Sequence, residues 1–351
     1  MKDINVIGID IAKNVMQLHG ADSTGKVLFR KRVTRDKFLS TLAMMPKCLI
    51  GMEACSGAHY WARKLVELGF EVKLMNPAEV KKYAEHQKND ANDAKACAIA
   101  VMRSDMRFVS IRTEAQLEIQ ALHRARSSYV KTQTAMVNMI RGLLLENGIA
   151  IAQGKAALRK ELRLLLEEDK IELSEMMKNL LGGLQEQLTS VIKEITELTE
   201  KIEKVAKEED NCRRIQTIEG IGPISATAII AKIGNGNEFK KGRELSAFLG
   251  LVPKQYSSGN KQVLLGISKH GDRYIRQLLI HGGRSVVQAA KRINKATGAY
   301  CKQDSHSQWV RKLSERVGMN KASVAVANKN ARMIVAVLKA QTEFKAELAH
   351  M

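Results

Sequence analysis

Ile4-Asn5-Val6-Ile7-Gly8-Ile9-Asp10 is the stretch on which the reading of the fold turns. A short run rich in Ile and Val reads as a strand with both faces buried. It ends on a carboxylate, with Lys13 just beyond. A carboxylate at the end of a buried strand has to be paired, solvated or metal-bound, because leaving it dry and alone costs several kcal/mol. An Asp that merely caps a strand and points into water is the plain alternative.

Working outward, residues 14–21 alternate like a second strand, and Asp22-Ser23-Thr24-Gly25-Lys26 has the residue types of a turn. Residues 27–33 read as a third strand that completes an antiparallel meander. Thr34 is placed to cap a helix carrying Phe38, Leu39 and Leu42 on one face, ended by Pro46. Cys48-Leu49-Ile50-Gly51-Met52-Glu53 is again a short apolar strand that ends on a carboxylate. A helix with Tyr60, Trp61, Leu65 and Leu68 as its stripe follows and stops at Gly69. Residues 72–75 form a fifth strand, closed by Asn76-Pro77. The order β-β-β-α-β-α-β is the ribonuclease H-like pattern, in which acids at the ends of the first and fourth strands lie side by side.

Asp90 and Asp93 then sit three apart in the segment 88–96, at the mouth of an Ala-rich helix. They can share a face, although acids in a first helical turn also simply favour the helix dipole. Together Asp10, Glu53, Asp90 and Asp93 occupy strand end, strand end and helix start, the three places this fold brings together. Clustered carboxylates repel unless a cation neutralises them, and hard oxygen ligands suit Mg²⁺ or Mn²⁺. Two such ions about 4 Å apart can activate a nucleophile and steady the leaving oxygen of a phosphodiester.

The charge balance agrees with a nucleic-acid substrate. The 351 residues hold 57 Lys and Arg against 37 Asp and Glu, a formal net charge of +20. Such an excess argues for a polyanionic partner, nucleic acid first and a membrane surface second. The length points to two or three domains. The chain shows no spanning run of about 18 apolar residues and no leader pattern, and is expected to be soluble, cytoplasmic and without a membrane partner. Five scattered cysteines with no C-x-x-C pair fit reduced thiols and argue against a disulfide frame or structural zinc.

From residue 114 to 147 nothing breaks a helix until Gly142 and Gly148, and Arg124, Arg126, Lys131 and Arg141 offer phosphate contacts, or else a plain solvated face. Met177, Leu181, Leu184, Leu188, Val191, Ile195, Leu198, Ile202 and Val205 alternate in spacing between four and three, an a/d seam of four heptads. A self-associating coiled coil is expected, with an intramolecular helical hairpin as the alternative. Ile218-Glu219-Gly220-Ile221-Gly222-Pro223 resembles the hairpin of a helix-hairpin-helix motif, where Gly220 and Gly222 would let the backbone approach a phosphate. Residues 251–261 read as a loop with two serines beside a glycine, near Lys254, Lys261, Lys269, Arg273 and Arg276. Residues 277–341 hold 12 Lys and Arg against 2 acids, an electrostatic footprint for a nucleic-acid backbone.

Several of these stretches are similar to those of the DEDD-type insertion-sequence transposases. They are Gly8-Ile9-Asp10-Ile11-Ala12-Lys13, Met52-Glu53-Ala54-Cys55 with His59-Tyr60-Trp61-Ala62-Arg63, and Asn89-Asp90-Ala91-Asn92-Asp93-Ala94. Gly220-Ile221-Gly222-Pro223, Leu249-Gly250-Leu251-Val252-Pro253, Ser257-Ser258-Gly259, residues 266–274 and His281-Gly282-Gly283-Arg284 continue the likeness in the same order. It spans about residues 4 to 290.

The resemblance implies an α/β plus α architecture in three segments. A RuvC-like catalytic domain takes residues 1–150 and a coiled-coil oligomerisation segment takes 151–209. A mainly helical, basic transposase domain with the helix-hairpin-helix-like motif takes 210–351. It implies that Asp10, Glu53, Asp90 and Asp93 hold metal and that a serine of the second domain attacks the DNA backbone. By position that serine is Ser258, with Ser257 open because the doubled serine leaves the register free. Arg284 joins the expected nucleic-acid contacts. The resemblance further implies donor and target DNA as partners, a structured guide RNA encoded by the element, a dimer or tetramer, and a nucleoid-associated location. Because the acids and Ser258 lie far apart in sequence, they are expected to meet in trans between protomers. A RuvC-like nuclease that uses water in place of the serine is the alternative, and a non-enzymatic nucleic-acid organiser is the third reading.

Overall fold

The computed structural model describes residues 3–84, 89–167, 173–259, 261–294 and 296–344. Lys88 and Asn260, which fall inside two of the stretches quoted above, lie outside the described residues. The chain divides into two compact units, Met1–Glu114 and Ala115–Met351.

The first unit is a mixed sheet with helices on both faces. Its elements are β1 (Val6–Ile11), β2 (Val15–Ala21), β3 (Val27–Thr34), α1 (Phe38–Ala43), β4 (Leu49–Glu53), α2 (Ala58–Glu67), β5 (Glu71–Met75), α3 (Pro77–Val80), α4 (Asp90–Val101) and β6 (Phe108–Val109). The sheet order is β3-β2-β1-β4-β5-β6. β1, β4 and β5 run parallel, while β2, β3 and β6 are antiparallel to their neighbours. This is the ribonuclease H-like arrangement expected from the strand pattern, plus a two-residue sixth strand too short to leave a periodic signal. Thr34 differs from its expected role. It closes the β3 ladder opposite Val15, and α1 begins at Phe38 after Lys37 with no side-chain cap.

Period-two alternation sorts the side chains of the central strands. Ile7, Ile9, Ile50 and Met52 face α1 and α2, where Phe38, Leu42, Trp61 and Leu65 complete the larger core. Val6 and Leu49 face the other way, toward Cys97, Ala98 and Val101 of α4. Gly8 and Gly51, register partners in the parallel ladder, lie on that second face. A Cβ on Gly8 would stand 2.1 Å from the carbonyl oxygen of Ala94, and one on Gly51 would stand 2.8 Å from that of Cys97. The paired glycines and the Ala-rich helix therefore let α4 lie directly on the sheet backbone.

The second unit is mostly helical. It contains α5 (Glu114–Glu146), α6 (Lys155–Glu167), α7 (Glu175–Glu208), α8 (Asp210–Gln216), α9 (Pro223–Ile233) and α10 (Gly242–Phe248). The strands β7 (Pro253–Gln255) and β8 (Leu264–Ile267) follow, then α11 (Arg273–Ala290), α12 (Ser305–Val317) and α13 (Met319–Ala340). α5 runs straight through Gly142, and Gly148, with φ of +76°, stands just beyond its end. α7 likewise passes Gly182 and Gly183 without a break. The seam of α7 packs within its own chain along much of its length. Leu181 and Leu188 are buried with Ile140 and Leu144 of α5 and with Leu158 and Leu162 of α6. Leu198 and Ile202 are buried as well, while Met177, Leu184, Val191, Ile195 and Val205 remain half-exposed. No helix among the described residues is long and apolar enough to cross a membrane. All five cysteines are free thiols.

Candidate active site

The same alternation that sends Gly8 and Gly51 toward α4 places Asp10, two residues after Gly8, and Glu53, two after Gly51, on that face. Because β1 and β4 are parallel neighbours, both carboxylates emerge at the same, C-terminal edge of the sheet. Asn89 caps α4 by accepting the Asn92 N–H at 2.8 Å, so Asp90 and Asp93 occupy the first helical turn. The close approach of α4 brings that turn to the same edge.

The electrostatics register the meeting. Asp10 is pushed up to about 6, first by burial and then by the charges of Asp93 and Asp90. Glu53 is raised as well, first by burial and then by Asp10 and Asp93. The four acids named from the sequence thus form one electrostatic group. Their side chains do not close into a preformed cage: among the described residues, no three His, Cys, Asp or Glu groups are arranged to hold one ion. The donor chemistry nonetheless fits a hard divalent cation, since the group is made of carboxylates whose repulsion such an ion would relieve. Cys97, buried beside Glu53, is held far above the ordinary thiol range by burial and is no reactive thiolate.

In the second unit the stretch around the paired serines, expected as a loop, is a β-hairpin. Gln255 pairs with Leu264 and Ser258 with Lys261, so Gly259, with φ of +55°, stands in the tight turn. The two serines are not equivalent. The Ser257 hydroxyl accepts from Gln255 Nε2 at 3.1 Å and from the Val263 N–H at 3.4 Å. The Ser258 hydroxyl is exposed and makes no hydrogen bond among the described residues.

The expected nucleic-acid contacts fall into distinct environments. Arg124, Lys131, Lys254, Lys261, Lys269 and Arg273 are exposed. Arg284 is exposed and donates to Asn320 Oδ1 at 2.8 Å. Arg126 is half-buried and donates to Thr199 Oγ1 at 2.7 Å. Arg276 is turned inward: its Nη1 donates to the carbonyls of Leu249 and His270, at 3.0 and 2.9 Å. A buried guanidinium held by two carbonyls fastens the turn before α11 and is not presented to a phosphate. Gly220 is in close contact with α11, where a Cβ would meet the Gly282 carbonyl oxygen at 2.8 Å. Gly222 stands at the N-terminus of α9 with open space around it.

One cluster left no trace in the sequence reading. His123 of α5 is buried, with Nδ1 3.1 Å from the Tyr274 hydroxyl of α11 and Nε2 3.0 Å from Thr227 Oγ1 of α9. Thr227 itself donates to the Pro223 carbonyl at 2.8 Å, so Nε2 carries the imidazole proton and Nδ1 accepts from Tyr274. Burial, and then Arg126, pull His123 down to about 4. Its two partners, Thr227 and Tyr274, lie 104 and 151 positions from His123, beyond the reach of local spacing.

An α/β unit with carboxylates gathered at one sheet edge, followed by a helical unit, is consistent with a RuvC-like N-terminal domain and a helical C-terminal region. Comparison with known sequences gives the particular family. Residues 7–148 match the DEDD transposase profile of the IS110 group, and residues 212–298 match the profile described as transposase IS116/IS110/IS902 family. The chain is 43% identical to a transposase for insertion sequence element IS1111A from Coxiella burnetii, over 98% of this chain and 92% of that protein. It is 40% identical to a probable family 20 transposase of Pseudomonas aeruginosa, over 98% and 99% of the two chains. It is 35% identical to a transposase for insertion sequence element IS1328 of Yersinia enterocolitica, with the same coverage. The chain belongs to the IS110/IS116 family of DEDD-type insertion-sequence transposases. It is a DNA transposase.

Proposed function

We propose that this transposase cuts and rejoins DNA through a serine nucleophile, with Asp10, Glu53, Asp90 and Asp93 as its metal-binding acids. The carrying observation is the shared electrostatic field of those four carboxylates at one sheet edge, with Asp10 raised to about 6. A divalent ion, Mg²⁺ or Mn²⁺, would neutralise the acids and polarise the scissile phosphate. Ser258 is favoured over Ser257 because its hydroxyl is exposed and uncommitted, whereas that of Ser257 is held inside the hairpin.

In the proposed step Ser258 Oγ attacks phosphorus. One Oγ–P bond forms, one P–O ester bond breaks, and the serine proton passes through solvent to the departing sugar oxygen. The phosphodiester energy is kept in the protein–DNA ester, which a sugar hydroxyl later reverses to join a new strand.

In this reading residues 1–150 are catalytic, 151–209 assemble protomers, and 210–351 carry the serine and much of the DNA contact. The half-exposed seam residues of α7, with Met176 and Leu180 exposed beside them, support assembly into a dimer or tetramer. Acids and serine meeting in trans remains part of the proposal. So does a structured guide RNA that selects donor and target by base pairing while the protein reads backbone and shape. A cytoplasmic, nucleoid-associated location follows from such a substrate.

The test is a denaturing gel of full-length protein with end-labelled element DNA and Mg²⁺. A slow-migrating protein–DNA adduct present with Ser257→Ala and absent with Ser258→Ala supports the assignment. Undiminished strand cleavage by Ser258→Ala, with no adduct, would mean that water replaces the serine. RNA retained on the purified protein, and pairing with both element end and target, tests the guide.

A further inference from the structure

The β7–β8 hairpin carries more than the serine. Its register, with Gln255 opposite Leu264 and Ser258 opposite Lys261, assigns alternate side chains to opposite faces. Gln255 and Ser257 share one face, as their 3.1 Å hydrogen bond requires. Tyr256 and Ser258 share the other, together with Lys261. On that face Tyr256 is 77% exposed. Tyr256 makes no side-chain hydrogen bond, ring contact or ion pair among the described residues; only its backbone is engaged, donating to the Val263 carbonyl at 2.9 Å.

An aromatic ring left in water at the tip of a short hairpin contributes little to folding, because it covers nothing. Its position two residues from an uncommitted hydroxyl gives it another use. In-line attack needs the phosphate held at a fixed distance and angle from the attacking hydroxyl. A ring that takes one base onto its face fixes the neighbouring phosphate. Lys261, across the strand pair from Ser258, supplies the charge that draws the backbone to this face.

We propose that Tyr256 is a positioning residue that stacks on the base adjoining the scissile phosphate and so aligns that phosphate with Ser258. The occupant of this face is a DNA strand. The inference rests on the serine reading above.

The experiment measures single-turnover adduct formation by the full-length protein on its own element DNA, with total strand cleavage recorded in the same lanes. Tyr256→Ala is expected to slow adduct formation roughly 5- to 150-fold, the rate equivalent of one lost base stack. Tyr256→Phe and Tyr256→Trp are expected to stay within about threefold of the parent, as stacking requires. The same series is run on DNA carrying an abasic residue on one side of the cut, then on the other. On one of these substrates the parent protein falls to the rate of Tyr256→Ala, because the base that Tyr256 grips is gone. Tyr256→Ala as fast as the parent on intact DNA overturns the proposal, as does an equal loss on intact and both abasic substrates, which would mark a purely structural role. Cleavage without adduct in Ser258→Ala overturns the serine reading instead, so the two failures are told apart.

Discussion

A methyl group on Gly8 would lie 2.1 Å from the carbonyl oxygen of Ala94, so the strand that carries Asp10 and the helix that begins with Asp90 touch backbone to backbone. That contact sets how far the acids of α4 stand from those of β1 and β4. The acidic edge depends on two residues without chemistry of their own, Gly8 and Gly51.

Gly8→Ala therefore separates α4 from the sheet. The clash is with backbone on a helix fixed by its core, and overpacking of this kind costs about 1–3 kcal/mol or more. A lowered Tm together with loss of strand cleavage is expected. Gly222→Ala, whose position has open space and a φ of −94°, serves as the control and is expected to leave Tm nearly unchanged.

Asp10 gives a pH dependence of definite sign. Its folded pKa of about 6 lies above the model-compound value of 3.8, so the folded chain holds this proton more tightly than the unfolded one. The stability this contributes is full below about pH 4 and is lost as pH rises through 6. In metal-free protein at pH 7.5, Asp10→Asn is expected to raise Tm by a few degrees while abolishing cleavage. A thermal melt in EDTA beside an activity assay in Mg²⁺ checks both halves, and a lowered Tm would contradict the repulsion argument.

His123 behaves in the opposite sense. Its folded pKa of about 4 lies below the ordinary 6.5, so the neutral imidazole stabilises the fold above pH 6.5. That stability drains away as pH falls from 6.5 to 4, by up to about 3 kcal/mol. Parent protein is expected to lose Tm steeply in this window. His123→Gln is expected to be less stable at pH 7.5 and to show a flatter profile between pH 6.5 and 4.

The basic residues separate by burial. Arg276→Ala leaves the Leu249 and His270 carbonyls without their donor and is expected to destabilise the second unit by about 2 kcal/mol or more. Lys254→Ala and Lys261→Ala touch only exposed side chains and are expected to leave Tm within about 1 °C. Each is expected to weaken DNA binding and to reduce the slope of log affinity against log salt by about one. Melts and filter binding at several salt concentrations distinguish the two classes.

Much of the first unit could be read from the chain because its signals are local. Short apolar runs in residues 4–10 and 48–53, each ending on an acid, marked two buried strands, and the β-β-β-α-β-α-β order set their acids side by side. Asp90 and Asp93, three apart at the mouth of an Ala-rich helix, likewise read as one face of a first turn, and the structure adds Asn89 as its cap. The sixth strand was too short to show, and Thr34 went to the ladder because a strand partner outcompeted a helix start. In the second unit the serine stretch read as a loop, since three- and four-residue strands split by a Gly turn carry no periodicity.

The sequence by itself determined the family and the order of elements in the first unit, and marked the four acids and the paired serines as candidates, because each is written in residue type and near-neighbour spacing. Only the tertiary structure decided that Gly8 and Gly51 let the acids meet, that Ser257 is bonded while Ser258 is free, that Arg276 faces inward, and that His123 locks α5 to α9 and α11. Those outcomes depend on contacts between segments far apart along the chain. There, packing distance and burial choose among side chains that composition treats as alike.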